Sequence, residues 1–428
     1  MTRIEILCTG DEILTGKTVN TNYSFMARRL GEAGLVVYRG STVGDDRETL
    51  VAAILEAAAR ADAVVVNGGL GPTVDDLSQE VAAEAAGVPL ELDHGWLKRM
   101  EGYYSSRGRV MPPTNRKQAM LPAGSEILHN PIGTACGFRL SIGGTPFFFT
   151  PGVPRELWKM FDEIVIPQLK SLSGVETVSR VKRFHSFGIG ESRADEMLQG
   201  IPGVAPDGGV KLGFQSHYPQ LETKLMAYAV GPQELDRKLG PVESEVRRRL
   251  GTFVVAEDDQ NLEQRIIDAL RHQSASLAVM EMHSGGSISS RLLAVPEGGP
   301  LLRLGVVSRD LGQLADAAGL SVGERRCTLD CETAVALAEG LRARCGSTHA
   351  LALLACIDGK SENDQQSNQR RGDIFIAIVS PSEPVTRTAT LVGGHRWIRL
   401  GAIELGLDCL RRHLYGLPVD QRIDFEIR

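Results

Sequence analysis

Short apolar segments alternate with helical segments at the start of the chain, and this alternation limits the possible folds more than any other feature. The predicted strands are Ile4–Cys8, Leu35–Tyr38 and Ala63–Val66, and the predicted helices between and after them are Asn22–Gly34, Glu48–Arg60 and Asp75–Ala86. Because strands that are apolar throughout are buried on both faces, they indicate a parallel sheet with helices on both sides. We therefore expect a doubly wound, mainly parallel α/β domain.

The chain has 428 residues, more than one hydrophobic core usually organises, so we expect roughly three domains. After a linker at about residues 170–180, the pattern predicts strand, helix, two strands, helix and strand. A third domain begins with a helix at Asn261–Gln273 and ends with a helix at Ile398–Tyr415, and its polar segment Ser361–Arg371 predicts an exposed, mobile loop. The predicted domains are 1–170 (doubly wound α/β), 181–258 (small α+β module) and 261–418 (α/β).

Composition excludes several classes of protein. The net charge of −6 argues against a dedicated nucleic-acid binder, because affinity for phosphate backbones depends on clustered Lys and Arg. No run of ~20 apolar residues could span a membrane, and Met1–Leu7 lacks the apolar core of a signal peptide. The seven cysteines are scattered, and Cys327 and Cys331 lack the partners of a zinc site, so we expect reduced thiols in a cytoplasm.

The segment from Gly68 to Asp76 carries the strongest chemical signal, because its glycines follow a buried strand and precede a predicted helix. Together with Gly69 and Gly71, Gly68 lets the backbone approach a ligand closely, and the helix N-terminus favours a phosphate. Asp75 and Asp76 would lie in the first helical turn, where capping explains one acid better than two. We interpret the pair as ligands of a divalent cation, with one of them alternatively a base that orients water.

Polar loops follow the other two strands and should meet this turn at the edge of the sheet where doubly wound domains bind ligands. Gly10 and Asp11 follow the first strand. Asn20 and Asn22 come shortly afterwards, and for both of them helix capping and ligand contact are equally open. Asp45 follows the second strand and is a candidate metal ligand.

Two later segments complete this edge. The segment Asn-Pro-Ile-Gly-Thr-Ala supplies Gly133 and Thr134, and Pro151–Glu156 forms a Pro-Gly-x-Pro turn before a helix. Such a turn suits a second anion site, with Gly152 beside the bound group. Glu156 would lie near that group, although a role in balancing the helix dipole explains the same position.

These motifs resemble those of the competence/damage-inducible protein A (CinA) family, whose N-terminal domain is similar to the molybdopterin-binding fold. Seven ordered motifs over ~150 residues carry the resemblance. They are Gly10–Gly16, Asn20–Asn22, Val43–Asp46, Gly68–Asp76, Asn115–Ala119, Asn130–Ala135 and Pro151–Glu156. The resemblance implies a metal-dependent pyrophosphatase that splits ADP-ribose into AMP and ribose 5-phosphate, and it implies a homodimer.

The resemblance and the motifs together define the candidate site. The substrate contacts would be Gly10, Asp11, Asn20, Asn22, Gly68, Gly69, Gly71, Thr73, Asn115, Gln118, Gly133, Thr134 and Gly152. Asp45, Asp75 and Asp76 would hold Mg²⁺, Mn²⁺ or Co²⁺, with K⁺ as a further candidate cation. Asp75, Asp76 and Glu156 would be catalytic in phosphoryl transfer from a nucleotide diphosphate to water. We expect neither a nucleic acid nor a membrane as a partner.

The third domain resembles the family's nicotinamide mononucleotide deamidase domain, but the residues of its chemistry are missing. Glu281–Gly286 stands where the family has Glu-Ser-Cys-Thr-Gly-Gly, and Gly394–Arg399 matches the start of its last helix. The family's Pro-Gly-Ser-Ser turn is Pro296–Gly299 here, and Arg309–Leu314 replaces Tyr-Ser-Asn-x-x-Lys. Because a serine nucleophile needs a base beside it, we predict an inactive domain that packs a dimer or senses a ligand.

Three alternatives stay open. The first domain could bind molybdopterin or another pterin phosphate, or it could sense ADP-ribose, in both cases without hydrolysis. An unaligned serine could also retain deamidase activity. Capping and turn formation explain the candidate polar residues of that region better, namely Ser284, Ser287, Ser289, Ser290 and His283.

Overall fold

The computed structural model describes residues 2–174, 178–321, 328–357 and 370–427. These residues group into two compact units. The first unit contains the chain up to Arg180 together with Tyr228–Leu235, and the second contains the rest. This division into two units does not test the three predicted domains, whose boundaries stay a prediction.

A mixed β-sheet forms the centre of the first unit. Its strands, with those of a small separate ribbon, are β1 (Ile4–Thr9), β2 (Val37–Val43), β3 (Ala63–Asn67), β4 (Leu90–Leu92), β5 (Met120–Pro122), β6 (Glu126–Leu128), β7 (Gly137–Ile142) and β8 (Thr145–Thr150). The order in the sheet is β2-β1-β3-β8-β7-β6, and β4 pairs with β5. The first four strands in this order are parallel to one another. Strand β7 is antiparallel to β8, and β6 is antiparallel to β7.

Helices cover both faces of this sheet. They are α1 (Asp11–Leu14), α2 (Thr21–Glu32), α3 (Arg47–Arg60), α4 (Ser78–Ala86), α5 (His94–Ser105), α6 (Pro154–Met160) and α7 (Ile166–Ser173), with a 3-10 helix at Pro113–Ala119 and a π-helical turn at Phe161–Val165. In β3, Val64 and Val66 pack with α3, α4 and α5, while Val65 packs with α2, α6 and α7 on the other face. The predicted doubly wound α/β fold is confirmed.

The start of α4 differs from the prediction. The helix begins at Ser78 and not at Asp75. The Asp76 carboxylate accepts a hydrogen bond from the Thr73 amide at 2.8 Å, which closes a turn before the helix starts. The two acids therefore precede the helix and do not lie in its first turn.

Two other boundaries also differ. The second strand, predicted at Leu35–Tyr38, is β2 at Val37–Val43. It begins and ends later than predicted because it pairs with β1 as far as Thr9. Helix α7 ends at Ser173 and the next strand begins at Val178, so the linker predicted at about residues 170–180 is shorter. Residues 175–177 within that linker lie outside the described residues.

The middle of the chain forms a four-stranded sheet with two helices. Its elements are β9 (Val178–Phe187), α8 (Glu191–Met197), β10 (Val210–His217), β11 (Gln220–Ala229), α9 (Pro232–Leu250) and β12 (Val254–Glu257), with 3-10 helices at Ile201–Val204 and Gly251–Phe253. The order of the strands in the sheet is β10-β11-β9-β12. The sequence of strand, helix, two strands, helix and strand is the predicted one.

The last part of the chain contains a second α/β sheet. Its elements are α10 (Leu262–His272), β13 (Leu277–Glu281), α11 (Ser287–Ala294), α12 (Gly298–Leu301), β14 (Leu302–Val307), α13 (Leu311–Ala318), α14 (Cys331–Cys345), β15 (His349–Ile357), β16 (Arg370–Val379), β17 (Val385–Gly393) and α15 (His395–Leu414). The order is β14-β13-β15-β16-β17. The first three strands are parallel to one another, β16 is antiparallel to β15, and β17 is antiparallel to β16. Helices α10 and α15 cover one face, and α13 and α14 cover the other.

Some predictions fall on residues that the structure does not describe. Most of the loop predicted at Ser361–Arg371 lies there, although Arg370 and Arg371 themselves belong to β16. Cys327 also lies outside the described residues. Among the helices of the described ranges, none is long and apolar enough to cross a bilayer.

Candidate active site

One cleft of about 630 Å³ lies in the first unit, at the carboxyl ends of the parallel strands. Gly10 follows β1, Asp45 comes shortly after β2, Gly68 follows β3 and Gly152 follows β8, and all four residues line the cleft. Between β1 and β3 the chain connections run to opposite sides of the sheet. Doubly wound domains place their ligands at this point.

Most of the predicted site residues meet at this cleft. Those that line it are Gly10, Asn20, Asn22, Asp45, Gly68, Gly69, Gly71, Thr73, Asp75, Asp76, Gln118, Thr134, Gly152 and Glu156. Asp11, Asn115 and Gly133 do not line it. Asp11 supports Asp45, Asn115 supports Gln118, and Gly133 leaves room for Glu156. These three residues therefore lie behind the lining of the cleft.

Asp11 and Asp45 brace each other across two loops. The Asp11 amide donates to Asp45 Oδ2, and the Asp45 amide donates to Asp11 Oδ1, both at 3.2 Å. Burial, and then the charges of Asp11, Glu12 and Asp75, raise the pKa of Asp45. Carboxylates held close enough to repel one another favour binding of a cation.

The glycine turn is ordered mainly by its own side chains. Both the amide and the hydroxyl of Thr73 donate to Asp76, so this hydroxyl is already committed in the structure. A side chain at Gly71 would overlap the Asp76 carboxylate. The Gly68 amide donates to the Thr150 carbonyl at 3.0 Å, and it is therefore not the free phosphate donor that the sequence suggests.

Gln118 joins the glycine turn to the loop of Thr134. Its amide donates to the Leu70 carbonyl at 3.0 Å, and its oxygen accepts from Thr134 Oγ1 at 3.0 Å. Asn115 donates to the same oxygen at 3.1 Å and also to the Tyr104 hydroxyl at 2.9 Å. This network fixes the distance between two loops that line the cleft.

Glu156 lies half-buried at the opposite side of the cleft. Its carboxylate accepts a hydrogen bond from Asn130 Nδ2 at 2.6 Å, and burial raises its pKa. A side chain at Gly133 would overlap this carboxylate, which explains the glycine there. Arg99 donates to the Gly133 and Asn130 carbonyls behind the loop.

Sequence reasoning missed Asn67, which ends β3. It accepts from Asn22 Nδ2 at 3.0 Å and donates to the Pro151 carbonyl at 2.8 Å, so it joins the end of β3 to the start of α2 and to the turn after β8. Asn22 also donates to the Gly152 carbonyl at 2.7 Å, whereas Asn20 caps α2. The sequence signal that could have identified Asn67 is its amide side chain directly after the three valines of β3.

Two buried polar atoms in the cleft lack partners. Within the described parts of the chain, neither Thr9 Oγ1 nor Asn22 Oδ1 has a hydrogen-bond partner. Both residues are more than nine-tenths buried and both line the cleft. Because buried polar groups are nearly always paired in native proteins, these two atoms are suited to bind a polar ligand or an ordered water molecule.

The cleft is strongly acidic. The carboxylates that line it belong to Glu12, Asp45, Asp75, Asp76 and Glu156, and no Lys or Arg is among its described lining residues. Lys117 lies behind the glycine turn, where it donates to the Thr73 carbonyl at 3.1 Å. The described residues also contain no group of three His, Cys, Asp or Glu arranged to hold a metal by themselves.

The second unit uses its polar residues differently. Glu281 is fully buried at the end of β13 and accepts hydrogen bonds from the Ile288 and Ser289 amides at 3.0 and 2.8 Å. The hydroxyls of Ser284 and Ser289 donate to the same carboxylate, each at 2.6 Å. Ser287 donates to a backbone carbonyl at 2.8 Å. These hydroxyls make the contacts of a helix cap.

Comparisons with known proteins agree along the whole chain. Family models match in chain order: the probable molybdopterin binding domain over residues 5–171, the damage-inducible protein CinA KH domain over 181–256, and the CinA C-terminal domain over 259–414. A CinA-like protein from Myxococcus xanthus is 36% identical over 428 residues, which cover 97% of this chain and 99% of that protein. The chain belongs to the CinA family. The predicted family is thus confirmed.

A second full-length relative and one crystal structure of part of the chain's length were also found. A CinA-like protein from Frankia casuarinae is 35% identical over 424 residues, covering 97% of each chain. A crystal structure of a CinA protein of unknown function from Thermoplasma acidophilum is 33% identical with a TM-score of 0.36, and it covers 40% of this chain and 98% of its own.

Proposed function

We propose that the first unit of this CinA-family protein hydrolyses a nucleotide diphosphate with the help of a divalent cation. The favoured substrate is ADP-ribose, which would give AMP and ribose 5-phosphate. The observation that carries the proposal is the acidic cleft with the unpartnered Thr9 Oγ1 and Asn22 Oδ1. A diphosphate can enter a cleft lined by carboxylates only if cations accompany it, because the like charges otherwise repel.

The residues present fit such a cation. Asp45 and Asp75 interact across two loops, and carboxylate oxygens are the ligands that Mg²⁺ and Mn²⁺ prefer. One or two carboxylates suffice where phosphate oxygens and water complete the shell, which agrees with the absence of a larger ligand group in the described ranges. When bound, the cation would neutralise the diphosphate and make its phosphorus more electrophilic.

The chain itself would orient the reactants and receive the proton. Water attacks one phosphorus, the bond to the bridging oxygen breaks, and that oxygen leaves on the other phosphate monoester. The half-buried Glu156, whose pKa is raised by burial, would take the proton of the water and pass it to solvent. Gly152 leaves room for the phosphates, and Asn22 Oδ1 is an acceptor for a ligand hydroxyl.

The test is a product assay on the purified full chain. ADP-ribose, NAD, coenzyme A and FAD are each incubated with Mg²⁺, Mn²⁺ or Co²⁺, and with K⁺ alone, and the products are separated by chromatography. We expect AMP and ribose 5-phosphate from ADP-ribose with a divalent ion. If no diphosphate is cleaved with any of these ions, the hydrolase proposal is wrong.

A second candidate function is binding without hydrolysis. It is favoured by the match of residues 5–171 to the model of a probable molybdopterin binding domain. Saturable binding of a nucleotide diphosphate or a pterin phosphate, with no product after long incubation, would support this function over the first. The acidic lining is why we prefer hydrolysis.

We further propose a homodimer in the cytoplasm. The described cysteines are all free, which suits a reducing compartment: Cys8, Cys136, Cys331, Cys345, Cys356 and Cys409. Light scattering after size exclusion would test the dimer, with a mass of one chain contradicting it. Fractionation of cells would test the location.

A further inference from the structure

Helix α5 holds the loop between β6 and β7 through two of its side chains. Trp96 and Arg99 are three positions apart, so they lie on one face of the helix. The Trp96 indole donates to the Thr134 carbonyl at 3.0 Å. The Arg99 guanidinium donates through Nη1 to the Gly133 carbonyl at 3.1 Å and through Nη2 to the Asn130 carbonyl. Helix α5 therefore fixes the backbone of this loop without lining the cleft.

The positive charge of Arg99 is not paired with an acid. In the described part of the chain, its hydrogen bonds go to the two carbonyl oxygens and none goes to a carboxylate. Its guanidinium carbon lies 4.4 Å from the centre of the Trp96 ring, which stabilises the cation in part, and burial lowers its pKa. A neutral amide could donate to the same carbonyls, so these contacts do not explain a charged side chain.

Asn130 connects Arg99 to Glu156. The Asn130 carbonyl accepts from Arg99, and the Asn130 Nδ2 atom donates to Glu156 Oε2 at 2.6 Å. The Asn130 Oδ1 atom accepts from the Ile132 and Gly133 amides at 3.1 and 3.0 Å, which fixes the orientation of this side chain. A shift of the Asn130 backbone would therefore move the donor that holds the Glu156 carboxylate.

The charge of Arg99 also acts on Glu156 through space. Burial raises the pKa of Glu156, while the hydrogen bond from Asn130 and then the charge of Arg99 oppose this rise. A general base must be deprotonated at the pH where it works, and burial alone would keep Glu156 protonated over a wider range of pH. The cation behind the loop therefore favours the carboxylate form of the proposed base.

We propose that Arg99 is a positioning residue for Glu156, which acts through the Asn130 loop and through its unpaired positive charge. This role rests on the proposed hydrolysis, in which Glu156 takes the proton of water. The planar fork of a guanidinium group matches two carbonyls at once, and lysine lacks this fork although it carries the same charge. Glutamine removes both the fork and the charge. Two substitutions of Arg99 can therefore separate the two effects.

The first test measures AMP release by the purified full chain as a function of pH. Arg99→Lys and Arg99→Gln are compared with wild type and with Arg109→Gln, which removes the same charge from an exposed position outside the cleft. We expect both Arg99 variants to lower kcat by about 10- to 100-fold with KM nearly unchanged, as for a small displacement of a catalytic group. In Arg99→Gln alone, the rise of kcat with pH should also move to higher pH, which a purely structural role would not cause.

The second test uses thermal melting and needs no turnover. In the wild-type background, the melting temperature gained by Glu156→Gln grows with pH and levels off above the pKa of Glu156. In the Arg99→Gln background, this gain should level off at a higher pH and should be larger. In the Arg99→Lys and Arg109→Gln backgrounds, it should level off at the same pH as in wild type.

The two tests separate this proposal from the hydrolase proposal. If no diphosphate is cleaved, the hydrolase proposal is wrong, and the melts alone decide whether Arg99 acts on Glu156. A gain that levels off at the same pH in the Arg99→Gln and wild-type backgrounds, or an equal change with Arg109→Gln, would overturn the effect of the charge. Full kcat in Arg99→Lys would overturn the positioning of the loop, and this variant also serves if Arg99→Gln does not fold.

Discussion

The cleft of the first unit and the small pocket that His283, Arg309 and Arg399 line in the second unit have opposite electrostatics. Five carboxylates and no described Lys or Arg line the cleft, whereas two arginines and a histidine line the pocket. No carboxylate among the described lining residues of the pocket would repel an anion, whereas a diphosphate can enter the cleft only with a cation. The comparison therefore makes metal dependence of binding, and not only of catalysis, the property expected of the cleft.

The acids of the two units also differ in what already binds them. Glu281 accepts three hydrogen bonds from Ile288 and Ser289 at the start of α11 and a fourth from Ser284 before it, so its charge is used to stabilise a helix. Asp45 instead accepts one backbone hydrogen bond, from the Asp11 amide at 3.2 Å, and burial together with the charges of nearby carboxylates raises its pKa. A carboxylate becomes available to a cation only where the protein has not satisfied it. This difference is invisible in the residue types themselves.

The largest expected effect is that of a chelator. In EDTA, both AMP release and ADP-ribose binding should disappear, because the cleft repels a diphosphate without cations. Chromatography of the products and calorimetry, each with and without Mg²⁺, measure the two. Full ADP-ribose affinity in EDTA would show that the acidic lining does not control entry.

Removing the acids of the glycine turn should have a similar effect. Asp75→Asn combined with Asp76→Asn should lower the rate of AMP release by more than ~100-fold. Loss of a residue that only supports a metal ligand costs up to ~100-fold, and loss of the proposed ligands themselves should cost more. Asp46→Asn is the matched control, since Asp46 caps α3 outside the cleft and asparagine caps equally well. Unchanged turnover in the double variant would end the assignment of these acids.

Glu156→Gln separates catalysis from stability. Loss of a general base should lower kcat by ~10²–10⁴-fold. Because burial raises the pKa of Glu156, the folded state binds this proton more tightly than the unfolded state. Its contribution to stability is complete below about pH 4.3 and is lost as pH rises through the raised pKa.

The variant should therefore melt at the same temperature as wild type near pH 4 and at a higher temperature at pH 8. The glutamine oxygen can still accept from Asn130. Thermal melts at the two pH values, together with AMP release at pH 8, test this prediction. A variant that is less stable at pH 8 with normal turnover would show that Glu156 is only structural.

Glu281→Gln should leave AMP release unchanged and should destabilise the second unit. The new amide would face N–H and O–H donors where the carboxylate accepted them, at a cost of about 2–3 kcal/mol in the free energy of unfolding. Urea unfolding measures this, with Glu297→Gln at an exposed position as the control. Equal stability of the two variants would mean that the cap contributes little.

The sequence was sufficient to predict the doubly wound sheet, since Val64, Val65 and Val66 in one strand can all be apolar only if both faces are covered. It was not sufficient to place the start of α4. Asp76 binds the Thr73 amide and so competes with the helix, and propensity does not register such a contact.

The site shows the same limit. The order of the strands brings Gly10 and Gly68 together, and sheet topology makes that predictable. The bracing of Asp11 by Asp45 joins residues that are 34 positions apart, and only the folded chain shows that one of them supports the other. Asn67 was missed for a related reason, because its partners Asn22 and Pro151 are 45 and 84 positions away along the chain.

The smallest expected effect is that of nicotinamide mononucleotide, from which the purified protein should release no ammonia above the blank. Ser284 and Ser289 donate to Glu281, whose carboxylate also accepts the Ile288 and Ser289 amides, and Ser287 donates to a carbonyl. These hydroxyls are therefore held as donors of a helix cap, and the Ser–Lys pair of the family's motif is not among their contacts. An active deamidase assayed in parallel provides the positive control. Release of ammonia that survives replacement of all three serines by alanine would require a nucleophile elsewhere, and release that disappears would show that the cap itself can open.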